Sequence, residues 1–302
     1  MEYKAFADFC GQEKIEYRKN EPMCCHTSFK IGGLADIFVS VKNVGELKSA
    51  LNKAKSLDIP VFIIGKGSNL LVSDNGIEGV VISLAGMNEI TVNGNVITAE
   101  AGASLAAVCN KACEASLGGL EFAYGIPGSV GGALYMNAGA YGGEMSQVVK
   151  KAGFVTLEGE TGEISACDMA LGYRTSVFKS SDMIITSVTF ELTECDKCDI
   201  SAKMEDFIGR RRDKQPLEYP SAGSTFKRPE GYFAGALIEQ NGLKGKSVGG
   251  AQVSVKHAGF VINTGNATCC DVRNLIKEIQ DIVKQNNGVS LETEVIFVGR
   301  DN

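Results

Sequence analysis

Hydrophobic positions in the first third of the chain fall into two alternating rhythms, short unbroken runs and spacings of three to four residues, which predicts strands alternating with helices. Ile37-Phe38-Val39-Ser40-Val41 reads as a strand. Asn43 with Glu46 offers a capping-box-like start to a helix whose apolar face is Val44, Leu47, Leu51, Ala54 and Leu57. Strands follow at Val61–Ile64 and Val80–Leu84, and Asn93-Gly94 between Ile90-Thr91-Val92 and Val96-Ile97-Thr98 signals a hairpin. A helix capped by Ser104 should run to about Ser116 and stop at Gly118-Gly119. Further strands are expected near Gly153–Leu157 and Ile184–Leu192, then a helical stretch reaching Arg210-Arg211-Arg212-Asp213-Lys214-Gln215-Pro216. The last long helix carries Leu275, Ile276, Ile279, Ile282 and Val283 on one face, ends at Asn287-Gly288, and precedes a strand near Glu294–Val298.

Two glycine-rich stretches interrupt this pattern. Gly65-Lys66-Gly67-Ser68-Asn69-Leu70-Leu71-Val72 follows the strand Val61–Ile64, and Gly125-Ile126-Pro127-Gly128-Ser129-Val130-Gly131-Gly132 leads into Asn137-Ala138-Gly139-Ala140-Tyr141-Gly142-Gly143. Glycine lets consecutive N–H groups face a ligand, so two such loops suggest one large phosphate-bearing cofactor. Turn formation is the competing reading for either loop alone, and seven glycines between residues 123 and 143 weigh against it. Neither loop is a common nucleotide fingerprint: Leu70 occupies the third glycine of G-x-G-x-x-G, and Gly242-Leu243-Lys244-Gly245-Lys246-Ser247 is too short for a P-loop.

Length and composition bound the rest. With 302 residues and 44% hydrophobic content, the chain can build two or three cored domains. A net charge of −6 argues against nucleic acid as the partner. No apolar run reaches the roughly 18 residues of a membrane helix, and the N-terminus shows no signal-peptide pattern, so a cytoplasmic location without membrane insertion is expected. The ten cysteines read as reduced thiols. Cys195-Asp196-Lys197-Cys198 stands without a second such pair and with only His26 and His257 in the chain, so no metal is expected. Cys109 and Cys113 share an apolar helix face with Leu105, Val108 and Ala112.

Seven motifs in order resemble the UDP-N-acetylenolpyruvoylglucosamine reductase family, over nearly the whole chain. They are Thr27-Ser28-Phe29-Lys30-Ile31-Gly32-Gly33, the Gly65–Val72 loop, Gly125-Ile126-Pro127-Gly128, Asn137–Gly142, Gly172-Tyr173-Arg174-Thr175-Ser176, Ser221-Ala222-Gly223-Ser224-Thr225-Phe226-Lys227 and Leu291-Glu292-Thr293-Glu294-Val295. The resemblance implies an α+β fold with FAD bound by two subdomains of the vanillyl-alcohol-oxidase type and a third α+β domain for the UDP-sugar. The expected division is 1–84 with 290–302, then 85–195, then 196–289. The stretch Pro229–Val253 looks like the family form that lacks an additional tyrosine-bearing substrate loop. FAD contacts are implied for Lys66, Gly67, Ser68, Asn69, Leu70, Gly125, Ile126, Gly128, Ser129, Asn137 and Ala138.

The implied reaction is NADPH-dependent reduction, through FAD, of UDP-N-acetylglucosamine enolpyruvate to UDP-N-acetylmuramate in peptidoglycan precursor synthesis. The family pattern maps the stabiliser of developing charge onto Arg174, the proton donor onto Ser224 and an acid touching the substrate carboxylate onto Glu294. An arginine's fixed charge and planar donors suit a carboxylate that gains electron density. A serine hydroxyl is a weak acid, yet a carbanion-like intermediate can take its proton. Glu294 could hydrogen-bond a carboxylate only when protonated, a form favoured by burial and nearby negative charge. Taken singly, these residues read as well as a surface ion pair, a turn serine and an exposed strand carboxylate. Lys227 and Lys244 are candidates for the diphosphate, and Tyr173 and Gln240 for further substrate contacts. An oxidase on the same FAD fold and a flavin-bound thiol sensor are the competing activities.

Overall fold

The computed structural model describes residues 2–300, which pack as two compact units. The first comprises the residues up to Lys19, Ile37–Lys66 and Gly79–Arg210; the second comprises Asn20–Asp36, Gly67–Glu78 and Arg211 onward. Seven helices are present among the described residues: α1 Glu2–Gln12, α2 Val44–Ser56, α3 Leu105–Glu114, α4 Val130–Tyr135, α5 Lys197–Lys214, α6 Ala234–Gln240 and α7 Cys269–Asn287.

In the first unit, Val61–Ile64 is the edge strand of a sheet and pairs in parallel with Val80–Ser83, and Gly65 follows directly at its end. Helix α2 begins where its sequence signal places it, with Asn43 Oδ1 accepting the Glu46 amide at 2.9 Å. It buries Leu47, Ala50, Leu51 and Ala54. A five-stranded antiparallel sheet runs in the order Thr161–Ser165, Val149–Thr156, Met183–Glu191, Val96–Glu100, Ile90–Asn93. Its hairpin closes on the pair Asn93 and Val96. The loop residues are therefore Gly94 and Asn95, and a positive φ of 58° at Gly94 alone matches a type II′ turn with glycine first.

The end of α3 differs from expectation. Ser116, not a glycine, adopts the left-handed conformation at φ 57° after the cap residue Ala115. Leu117–Gly118 goes on to pair with Thr193–Glu194. A methyl on Gly118 would meet Cys195 Cβ at 3.1 Å, so close strand approach accounts for this glycine, and helix termination does not.

The second unit has its own core, in which Phe29, Ile31, Leu71, Phe226, Leu237, Ile238, Val261 and Leu291 surround the buried stripe Val272, Leu275, Ile276, Ile279 and Val283 of α7. Ile282, expected on that stripe, is only partly buried. Thr268 Oγ1 caps α7 by accepting the Asp271 amide, and Gly288 ends it at φ 69°. Asp74, remote in sequence, adds a second anchor by accepting the Cys269 amide at 2.8 Å and the Cys270 amide at 3.0 Å. A three-stranded antiparallel sheet, Ser247–Val248, Ala251–Val253 and Val261–Asn263, lies in the same unit. There Ile296–Val298 pairs in parallel with Leu70–Val72, so the last strand closes on the segment that follows the first glycine loop.

Candidate functional site

Within the first unit, Gly65 of the first glycine stretch meets Ser129 of the second. A methyl built on Gly65 would lie 2.3 Å from Ser129 Oγ, well inside van der Waals contact, so only glycine allows this approach. Ser129 is buried, and its hydroxyl accepts the Gly132 amide at 3.3 Å to start α4. Gly131 lets α4 sit on the neighbouring chain, since its methyl would come within 2.9 Å of Ala101 Cβ. Ala138 is fixed after the helix by amide donation to Ala133 O at 2.8 Å. Gly67 takes a positive φ of 58°, and a methyl there would meet the His26 carbonyl oxygen at 2.2 Å.

These loops leave main-chain donors for a ligand. Among the described residues, the amides of Lys66, Gly67, Ser68 and Gly125 donate to no protein acceptor, although Gly67 is buried. Consecutive amides of this kind in a side-chain-poor turn form an anion-binding concavity. The arrangement fits a pyrophosphate-bearing cofactor such as FAD. Among the described residues, no three His, Cys, Asp or Glu side chains converge as metal ligands.

In the second unit, hydrogen bonds bring three of the sequence motifs together. Asn69 Nδ2 donates to Glu294 O at 3.0 Å, and Glu294 N donates to Thr225 O at 2.8 Å. Phe226 and Thr293 form an antiparallel bridge, and Lys227 N donates to Glu292 O at 2.8 Å. Opposite Glu294 stands Thr225, and immediately before it comes Ser224. It is exposed, lies between Gly223 in the left-handed region at φ 78° and the buried Thr225, and is held from behind by Thr225. Thr225 Oγ1 accepts the Val261 amide at 2.9 Å, and Thr225 N donates to Gly259 O at 2.9 Å.

The motif Thr27–Gly33 is the fastener for this arrangement, a role its sequence did not announce. Ser28 N donates to Gly67 O at 3.2 Å, while Ser28 Oγ donates to Ser221 O at 2.7 Å. Asn263 Nδ2 reaches Phe29 O at 3.2 Å, and its Oδ1 accepts the amides of Gly265 and Ala267. Bonds that span 193 and 234 positions leave no local periodicity to read.

Arg174 belongs to the first unit, on a tight turn in which Gly172 and Thr175 exchange amide-to-carbonyl hydrogen bonds at 3.1 and 3.2 Å. Its φ of 55° is a conformation that L-residues adopt at a cost. Its guanidinium lies 5.2 Å from the ring centroid of the exposed Tyr173. The remaining cationic candidates are engaged: Lys227 pairs with Glu292 at 3.1 Å and Lys244 with Glu239 at 2.6 Å. Gln240 is exposed at the end of α6.

Comparison with known proteins places this geometry. Residues 35–165 match an FAD binding domain, and residues 215–298 match the C-terminal domain of UDP-N-acetylenolpyruvoylglucosamine reductase. UDP-N-acetylenolpyruvoylglucosamine reductases from Clostridium perfringens and Clostridium botulinum are each 48% identical, over 99% and 98% of this chain and 98% and 96% of theirs. The chain belongs to the UDP-N-acetylenolpyruvoylglucosamine reductase family. The crystal structure of the reductase from Thermus caldophilus aligns with a TM-score of 0.80 at 33% identity, over 94% of this chain and 98% of that one. The fold class is accordingly that of the reductase family, α+β with an FAD-binding domain.

Proposed function

We propose that this chain is an FAD-dependent oxidoreductase that reduces UDP-N-acetylglucosamine enolpyruvate to UDP-N-acetylmuramate for peptidoglycan synthesis, with NADPH as reductant and in the cytoplasm. Family membership across the full length supports the reaction. The observation that supports the residue assignment is the bridge between two motifs: the main-chain bond from Glu294 to Thr225 joins the segment that carries the exposed Ser224 to the one that carries Glu294. Two FAD-binding subdomains, 1–84 with 290–302 and 85–195, and a UDP-sugar domain, 196–289, complete the proposal.

FAD, when bound, supplies hydride to the terminal carbon of the enol ether. Lys66, Gly67, Ser68, Asn69 and Leu70 would serve its pyrophosphate side, the first three through their amides, and Gly125, Ile126, Gly128, Ser129, Asn137 and Ala138 are assigned to the cofactor by the family pattern. Ser129, Asn137 and Asn69 contribute through the main chain, because their side chains are committed to Gly132, Gly172 and Glu294. Arg174 would pair with the substrate carboxylate as negative charge spreads onto it, a charge-assisted contact that strengthens toward the transition state. The Ser224 hydroxyl would give its proton to the carbon next to the carboxylate and recover one from solvent. Glu294, protonated, would donate to the same carboxylate.

Lys227 and Lys244 would turn to the diphosphate, exchanging Glu292 and Glu239. Both ion pairs are partly solvated, so the exchange costs little. Tyr173 and Gln240 would supply further substrate contacts. Incubating the FAD-loaded protein with NADPH and the enolpyruvyl sugar should yield UDP-N-acetylmuramate by mass spectrometry, and Ser224→Ala should lower its rate by at least ~100-fold, as loss of a proton donor does. Unconsumed sugar in the presence of oxidised NADPH would reject the assignment.

A further inference from the structure

Asn137, expected among the cofactor-binding residues, has both ends of its side-chain amide engaged by the protein. It is only 1% exposed. Its Nδ2 donates to Gly172 O at 3.0 Å and its Oδ1 accepts the Ser146 amide at 2.9 Å. Gly172 opens the turn that carries Arg174. Two more bonds join the same segments: Ser176 Oγ donates to Tyr135 O at 2.7 Å, and Lys179 Nζ donates to Arg174 O at 2.9 Å while lying 5.7 Å from the Tyr135 ring centroid. The exit of α4, continuous with the second glycine loop, is therefore tied to both sides of the arginine turn.

We infer that Asn137, with Ser176 and Lys179, is a positioning device that holds Arg174 in its left-handed conformation. The physical need is clear. A residue with a Cβ at φ 55° relaxes toward negative φ unless its neighbours over-determine it. Gly172 O is held by Asn137, Arg174 O by Lys179 and the Ser176 side chain by Tyr135, so rotation of the Arg174 backbone must break at least one of these bonds. Asn137 is itself left-handed at φ 41°, a conformation asparagine tolerates better than most residues. The tethers make the setting of the guanidinium depend on the segment that follows the flavin loop. This inference rests on the charge-stabilising role proposed for Arg174.

The test uses the FAD-loaded enzyme under anaerobic conditions, following flavin absorbance as NADPH bleaches it and the enolpyruvyl sugar restores it. Asn137→Gly keeps the left-handed backbone accessible and removes only the amide. Measured on the flavin-loaded fraction, it should slow the sugar phase roughly tenfold relative to the NADPH phase, the scale of one lost buried hydrogen bond. Lys179→Met, on the exposed side of the turn, should slow the sugar phase roughly threefold without a change in thermal midpoint. In an Arg174→Lys background both effects should fall below about twofold, because residues acting through the arginine cannot add to its loss. Full, independent losses in that background would overturn the positioning role and leave the role of Arg174 standing. An unimpaired sugar phase in Arg174→Lys alone would overturn the role of Arg174, and this inference with it.

Discussion

Gly65→Ala tests whether the two glycine loops touch as described. The added methyl would stand 2.3 Å from Ser129 Oγ, about an ångström short of ordinary contact, but 3.5 Å from Ser129 Cβ, which is ordinary contact. The hydroxyl is thus the whole obstacle. It can escape only by rotating off the Gly132 amide, which uncaps α4 and leaves a buried hydroxyl without that partner. Loss of such a cap costs about 1 kcal/mol, and residual overpacking, at the low end of its range because Ser129 Cβ stays in ordinary contact, about 1–2 kcal/mol, so Gly65→Ala should destabilise by about 2–3 kcal/mol. In a Ser129→Ala background the same glycine substitution should cost less than about 0.5 kcal/mol, a coupling of about 2 kcal/mol within the range for contacting residues. Denaturant midpoints of the four proteins at one fixed excess of FAD give the cycle. Equal costs of Gly65→Ala in both backgrounds would refute the contact and, with it, the joint cradle.

Three other outcomes follow from local chemistry. Asp74→Ala removes two acceptors from the start of α7 and should lower stability by about 2–3 kcal/mol, measured as a denaturant midpoint, whereas a loss under about 0.5 kcal/mol would mean that Thr268 and Asp271 suffice as caps. Burial holds the His257 imidazole below its ordinary value of 6.5, and Nδ1, which accepts the Gly259 amide at 3.1 Å, stays unprotonated in the fold. The unfolded chain then binds the proton more readily, so the stability contributed by neutral His257 is full above pH 6.5 and declines as pH falls below it toward the folded value. Urea midpoints between pH 7.5 and 5.5 should show this decline, and His257→Gln should flatten it. Burial also raises the thiols of Cys10 and Cys269 to about 11 and that of Cys109 to about 12, where Sγ additionally donates to Leu120 O. A thiol reagent at pH 8 should therefore label the exposed Cys25, Cys167, Cys198 and Cys270 first and leave Cys10, Cys109 and Cys269 until unfolding. Fast labelling of Cys109 in the native protein would favour the thiol-sensor reading.

Much of the scaffold was legible where the signal is local. The Val61–Ile64 strand, the Asn43 and Ser104 caps and the glycine stop of α7 are each set by a few neighbouring residues, and each stands where the pattern placed it. The end of α3 was misread because Gly118 looks like a helix stop, while its actual task is to let a two-residue strand lie against Thr193–Glu194, a partner about 75 positions away. Site residues divide the same way. Gly67 and Gly131 announce themselves by type, since nothing else fits. Ser28, Thr225 and Asn263 do not, because each acts through a hydrogen bond to a distant main chain and an identical residue in a turn would look the same. Asn137 combines both kinds of signal: the motif marks it, and its side-chain bonds to Gly172 O and the Ser146 amide are visible only in the fold.

The most direct test of the central claim is an anaerobic stopped-flow trace of the purified flavoprotein, mixed first with NADPH and then with the enolpyruvyl UDP-sugar. The account predicts rapid bleaching of the yellow absorbance and its rapid return on addition of sugar. Ser224→Ala and Arg174→Lys should each slow the return by at least ~100-fold while leaving the bleaching within roughly twofold. Bleaching that the sugar fails to reverse in the wild-type protein, or a return unaffected by both substitutions, would contradict it.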